Sequence, residues 1–274
     1  PRRPSPGVRW AAAAAVLVTA FLVWRAAQPP GCQPAPSGPS YSVEGLAGVE
    51  RVRPGDTFVV GEAGEALVRV AELGDVAFRP GSRVTVVDCG AEAHRMDLEE
   101  GGLRARIVAE PRVFQVGTPA GLTVDLGCEY ELEVDAAGNA RLHVLSGKVA
   151  FETAGRSVTV PARASCEARK GGRPTTPVQD DAEPDFVRAV RAVEFDPEPD
   201  PADVARVLDA DRREDSLSLV HLFDAPSREV REGAYDLLAR WYPAPPGVTR
   251  EGTLGGDEGM RRAWREKVSA DWYR

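Results

Sequence analysis

The side chains able to do chemistry beyond packing are few in this chain and lie far apart in it. Cysteines stand at Cys32, Cys89, Cys128 and Cys166, and histidines at His94, His143 and His221. None of the histidines falls within ligand spacing of a cysteine pair, so the pattern predicts no structural zinc site. No glycine-rich phosphate loop, no Gly-x-Ser-x-Gly and no His-Glu-x-x-His occurs. Asp97, Glu99 and Glu100 cluster, as a solvated acidic face does. His143 alternates with Leu142 and Val144 and is expected to face solvent. These residues predict a chain that is not an enzyme, with no catalytic residue, no metal and no cofactor.

The elements around them fall into two kinds. From about Ser42 to Ala168 the chain reads as short strands. Tyr130, Leu132 and Val134 alternate with Glu129, Glu131 and Glu133, the period-two pattern of a half-buried strand. Further strands are expected at Thr57 to Val60, Ala66 to Val70, Val76 to Phe78, Arg83 to Val87, Leu103 to Val108, Val113 to Val116, Ser157 to Val160 and Ser165 to Ala168. Turns at Pro54-Gly55-Asp56, Pro80-Gly81-Ser82, Gly101-Gly102, Gly138-Asn139 and Ser146-Gly147 separate them. That spacing suits an all-β domain, a two-sheet roll or a short β-solenoid. The polar stretch 171–184 reads as a linker. From Asp185 the spacing becomes helical: Phe186, Val187, Val190 and Val193, then Val204, Val207 and Leu208 after Pro201. A helical hairpin is expected from Ser216 to Phe223 and Glu229 to Trp241, with Ser227 as the second cap, then a last helix from about Gly256 to Val268. Trp241, Tyr242, Trp264, Trp272 and Tyr273 are either interface anchors or a small helical core.

The beginning of the chain is different again. Trp10 to Trp24 is an uncharged run, about 22 Å as a helix, and it lengthens to a membrane span when its flanks are included. Arg2, Arg3 and Arg9 precede it and Arg25 follows, so the positive-inside rule puts the N-terminus in the cytoplasm. A cleaved signal peptide is the alternative, though Arg25-Ala26-Ala27 is a poor cleavage site. The expected organisation is a cytoplasmic segment at 1–9, a transmembrane helix at 10–27, a proline-rich linker at 28–41, a β-domain at 42–170, a linker at 171–184 and a helical module at 185–274. The net charge of −8 comes with no basic stripe, so no nucleic acid is expected as a partner.

The stretch Phe114, Val116, Thr118, Pro119, Gly121, then Val124 and Gly127, then Val144, Gly147 and Val149 resembles the phrase of FecR-like domains. The pattern covers roughly residues 54 to 168. Cys128 stands where that family has Thr, and Tyr130 replaces Phe. The resemblance implies a membrane-anchored extracytoplasmic regulator that couples an outer signal to a sigma factor. A non-enzymatic sensor or scaffold follows, with the β-domain taking a protein partner or envelope ligand and the N-terminal helix taking the lipid bilayer. The alternative is a structural module that holds polysaccharide or peptidoglycan without signalling.

Outside the cytoplasm an even number of cysteines suggests disulfides. Four cysteines allow three pairings, and the one expected joins Cys128 to Cys166. The alternative is that both are small buried hydrophobes.

Overall fold

The structure, a computed structural model, describes residues 39–271 apart from Ala91 and Ala154. The predicted transmembrane segment lies outside them. No helix among the described residues is long and apolar enough to cross a membrane.

The strands are β1 (Tyr41–Glu44), β2 (Arg51–Val52), β3 (Thr57–Val59), β4 (Ala66–Val70), β5 (Gly74–Phe78), β6 (Arg83–Cys89), β7 (His94–Ile107), β8 (Phe114–Thr118), β9 (Gly121–Asp125), β10 (Cys128–Val134), β11 (Ala140–Ser146), β12 (Lys148–Thr153), β13 (Arg156–Pro161), β14 (Ala164–Ala168) and β15 (Val178–Gln179). They form two sheets. One runs β2-β1-β4-β5-β7-β10-β11-β14-β15 and the other β3-β6-β7-β8-β9-β12-β13. Every pairing is antiparallel except β7 with β8. A β-solenoid would stack its strands in parallel, so the architecture is the two-sheet roll. Phe78, Met96, Leu98, Leu103, Phe114, Tyr130, Leu132 and Phe151 are fully buried in its core. Burying each such side chain contributes roughly 1.5–3 kcal/mol.

β7 belongs to both sheets, and its burial shows how. His94, Met96 and Leu98 point inward, then the parity changes and Leu103, Ala105 and Ile107 point inward. A register shift against Arg83 and Val84 leaves Glu99 without a partner, a bulge that turns the strand over. Gly101 follows with φ of 102°, and a Cβ there would lie 2.5 Å from Ser82 Cα. The buried Ser82 hydroxyl donates to the Gly102 carbonyl at 2.9 Å and accepts from the Gly102 N–H at 3.0 Å. Gly101-Gly102, expected to be a turn between strands, is therefore a bend inside one.

The helices are α1 (Pro184–Val193), α2 (Pro201–Leu208), α3 (Ser216–His221), α4 (Arg228–Trp241), α5 (Arg250–Gly255) and α6 (Glu258–Ser269). Their apolar faces meet around Phe223, Tyr235 and Trp264, whose rings contact one another, two of the three pairs edge to face. Asp200, Thr249 and Asp257 accept N-cap bonds from Ala202, Gly252 and Met260. Ser227 sits at the α4 cap without such a bond, a correction to its expected role. Its backbone is extended, as a cap requires, but the buried side chain does not reach the orphan N–H groups. Trp264 and Tyr242 are buried in the helical core rather than presented as anchors, and Trp241 is partly buried against it. Trp272 and Tyr273 lie outside the described residues.

The stretch expected to be a linker is bonded into the fold, and the described residues form one compact unit. Thr175 N–H donates to the Glu167 carbonyl at 2.7 Å, and β15 pairs with β14. The Glu194 carboxylate accepts from the Thr176 N–H at 2.5 Å, Arg191 donates to the Thr176 carbonyl at 2.6 Å, and Ser218 donates to the Pro177 carbonyl at 2.8 Å. Leu217 of α3 joins the core of the roll. Pro and Gly in this segment set turns, and buried partners take its backbone groups.

The bend in β7 gives a first prediction. Gly101→Ala should lower stability by about 3 kcal/mol, combining left-handed backbone cost with the clash on Ser82. Gly55→Ala has a similar positive φ but open space around it and should cost only about 1–2 kcal/mol. Urea midpoints of the two variants check this. Equal losses would remove the clash from the account.

Candidate functional site

The residues of the Phe114–Val149 phrase build one corner of the roll. Phe114, Val116 and Val149 are core. Thr118 and Gly121 are opposite each other across a tight turn through Pro119 and Ala120. The Thr118 hydroxyl accepts from the Ala120 and Gly121 N–H groups and donates to the Gly121 carbonyl at 2.9 Å. Where β9 passes into β10 and β11 into β12, Gly147 packs on the Gly127 carbonyl with no room for a Cβ.

Asp125 sits in this corner, buried. Its carboxylate accepts from the Gly127 N–H at 2.5 Å and from the Cys128 thiol at 2.8 Å. Burial pushes the Asp125 carboxyl and the Cys128 thiol up from their ordinary values. Cys128 thus donates to Asp125 as a threonine hydroxyl would.

The expected disulfide is corrected by the register. Cys128 and Cys166 are free thiols, as is Cys89. Cys166 stands across Leu142, which stands across Leu132. Cys128 lies four residues further along β10, roughly 13 Å at about 3.3 Å per residue. A disulfide needs Cα atoms within about 7 Å. The Cys166 thiol instead donates to the Thr175 carbonyl at 3.1 Å, and burial pushes its pKa up to about 12. Both are buried in the roll, and each thiol has a polar acceptor as well.

The histidines also lie apart. His94 is buried with Nδ1 at 2.9 Å from the Tyr41 hydroxyl, and burial lowers its pKa. His221 is buried in the helical module, and its pKa is lowered well below the usual value, again by burial. His143 faces outward, with Nε2 at 3.0 Å from Asp180. Among the described residues no group of three His, Cys, Asp or Glu side chains could hold a metal.

A groove, which sequence reasoning missed, lies between elements from both parts of the described chain. Two adjoining cavities of about 750 and 690 Å³ share Glu133, Arg141, Glu167 and Arg191. The outward residues of β10, β11 and β14 form the floor, and α1 with Phe195 forms a wall. Arginine and glutamate side chains cross the sheet face. Arg79 pairs with Glu131 at 3.4 Å and with Glu133. Arg106 and Arg104 both donate to Glu129, holding its carboxyl below the usual range. Arg141 pairs with Glu167 at 4.0 Å. Such exposed pairs contribute about 0–1 kcal/mol each, so their effect is to fix side chains more than to stabilise the fold.

At the wall, Glu194 is buried, and desolvation raises its pKa against the opposing pull of Arg191 and Thr176. The guanidiniums of Arg156 and Arg173 lie over the Phe195 ring, at 5.5 and 4.9 Å from its centroid. Arg156 Nε and Nη2 are buried without a hydrogen-bond partner among the described residues.

No protein-family model matches the sequence, and no curated protein sequence matches it. Two crystal structures of a candidate anti-sigma factor from Parabacteroides distasonis ATCC 8503 are similar over 56% of this chain, at 14% identity and a TM-score of 0.40. They are covered over 72% and 71% of their own length. At that score the overlap is partial and says nothing of what this chain binds.

Peptide mapping without reductant should recover Cys128 and Cys166 as free thiols. Cys128→Thr should keep stability within about 1 kcal/mol, while Cys128→Val, which leaves the carboxylate short of a donor, should lose about 1–3 kcal/mol in urea unfolding. For Glu194 the folded pKa is raised, so its contribution is fully present below the unfolded value and is lost as pH rises through the folded one. Glu194→Gln should therefore flatten the fall in stability with rising pH in that window. An unchanged slope would assign the pH dependence to other groups.

Proposed function

We propose that this chain is a non-enzymatic sensor or scaffold, anchored in the cytoplasmic membrane by residues 10–27. Its FecR-like roll and helical module act on the extracytoplasmic side, in envelope signalling or sigma-factor regulation. The observation that carries the reading is the corner of the roll. The residues on which the FecR-like resemblance rests form one structural unit there, with Phe114, Val116 and Val149 in the core, Thr118 closing its turn and Gly127 against Gly147. The groove beside α1 supports a binding role. It combines cations, carboxylates already engaged in ion pairs and apolar surface, a set suited to recognition. A fold alone does not fix function, so the reading rests on this surface as well as on the roll.

A reporter fused after Gly45 should be active only when exported. Deleting the gene should change the transcript of a sigma-controlled operon. An unchanged transcriptome, together with a chain that sediments with cell-wall material and has no protein partner, would replace signalling with the structural envelope-binding reading.

A further inference from the structure

The groove beside α1 carries an imbalance of charge commitments. Its carboxylates are engaged inside the protein: Glu133 by Arg79, Glu167 by Arg141, Glu194 by Thr176 and Arg191, and Asp135 by the N–H groups of its own turn. Its cations are not all engaged. Arg169 and Arg173 line one end, and among the described residues neither side chain makes a hydrogen bond or ion pair. Arg173 has only the Phe195 ring beneath it. A stacked guanidinium keeps its N–H edge free to donate. A turn closed by the Gly172 N–H on the Arg169 carbonyl at 2.8 Å brings the two arginines to the same end. The buried, partnerless N–H groups of Arg156 add positive potential behind Phe195. This end therefore holds the uncommitted positive charge of the groove.

The rest of the groove restricts what can lie in it. Its wall follows α1, ten residues or about 15 Å at 1.5 Å per residue. That length holds four or five residues of extended chain at about 3.3 Å each. The far end offers Val178, Ala182 and Val187, with Glu131 and Asp180 beside His143 and Arg188. A polyanion running the whole length would find there only basic side chains already paired, Arg188 with Asp185 and His143 with Asp180. A chain with one anionic end and small apolar side chains behind it needs no cation there. The edge of β14 is already paired by β15 and by the Thr175 N–H, so side chains rather than added strand pairing must do the recognising.

We propose that this groove takes an extended peptide segment of a protein partner, with a carboxylate of that segment seated between Arg169 and Arg173. The carboxylate is an Asp or Glu side chain or a free C-terminus. The proposal rests on the reading of the roll as a protein-binding module and names the chemistry of its partner.

The probe is a displayed library of random heptapeptides with free C-termini, panned against the purified full chain. Acidic residues or a required free C-terminus should be enriched. An enriched peptide should bind about tenfold or more weakly to Arg169→Ala/Arg173→Ala, the scale of losing charge-assisted hydrogen bonds. Replacing Glu by Gln, or amidating the C-terminus, identifies which carboxylate is held. Both side chains are exposed and make no hydrogen bond or ion pair, so the variant should melt close to the wild type. Arg169→Glu/Arg173→Glu should shift the enrichment to lysine-bearing peptides. No acidic enrichment, or equal binding by the alanine variant, overturns the proposal. A protein partner that binds wild type and variant equally overturns the groove assignment while leaving the scaffold reading in place.

Discussion

The two-sheet roll depends on one strand changing sheets. β7 can serve both because its buried face switches sides between Leu98 and Leu103, and that switch needs a bulge and a backbone turn in a crowded place. Ser82 makes the turn tolerable. Where the ladder is interrupted, Gly102 would leave an N–H and part of a carbonyl unsatisfied in the interior, and the buried hydroxyl takes both. Phe78 and Leu103 meet across β5 and β7, and Val84 and Leu98 across β6 and β7, only with this bend in place.

The groove is a consequence of how the helical module is fastened. Glu194, Arg191 and Ser218 hold the segment through Thr176 and Pro177, which sets α1 beside the outward face of β11 and β14. A buried carboxylate is costly unless its lone pairs are used, and here a backbone N–H and a guanidinium use them. The same clasp brings Phe195 against Arg173 and Arg156. The charge pattern of the groove therefore comes from the tertiary join and not from either part alone.

Buried polar groups elsewhere serve geometry. Asp125 receives the Gly127 N–H and the Cys128 thiol and so fixes the passage from β9 to β10. Tyr41 and His94 bridge the first strand of the roll to the start of β7. The Cys166 thiol donates a hydrogen bond to the Thr175 carbonyl and helps seat the segment that the clasp then closes.

Much of this was readable in the residues themselves. Period-two alternation around Tyr130, Leu132 and Val134 determined β10, because a half-buried strand has only two faces and the side chains must sort between them. The spacing of Phe186, Val190 and Val193 determined α1 for the analogous reason. Turn chemistry at Thr118-Pro119 is likewise local, since the hydroxyl and the N–H groups it accepts are three residues apart. What sequence could not supply was any relation between distant segments. Gly101-Gly102 looks the same whether it ends a strand or bends one, since the distinction lies in Ser82, nineteen residues away. Cys128 and Cys166 looked paired until the β10-β11-β14 register set them apart. The stretch 171–184 has a linker's composition, and only its bonds to distant residues, among them Glu167, Glu194 and Ser218, make it part of the fold. The groove needed the sheet face and α1 side by side, a placement decided by buried hydrogen bonds between residues with no local signature.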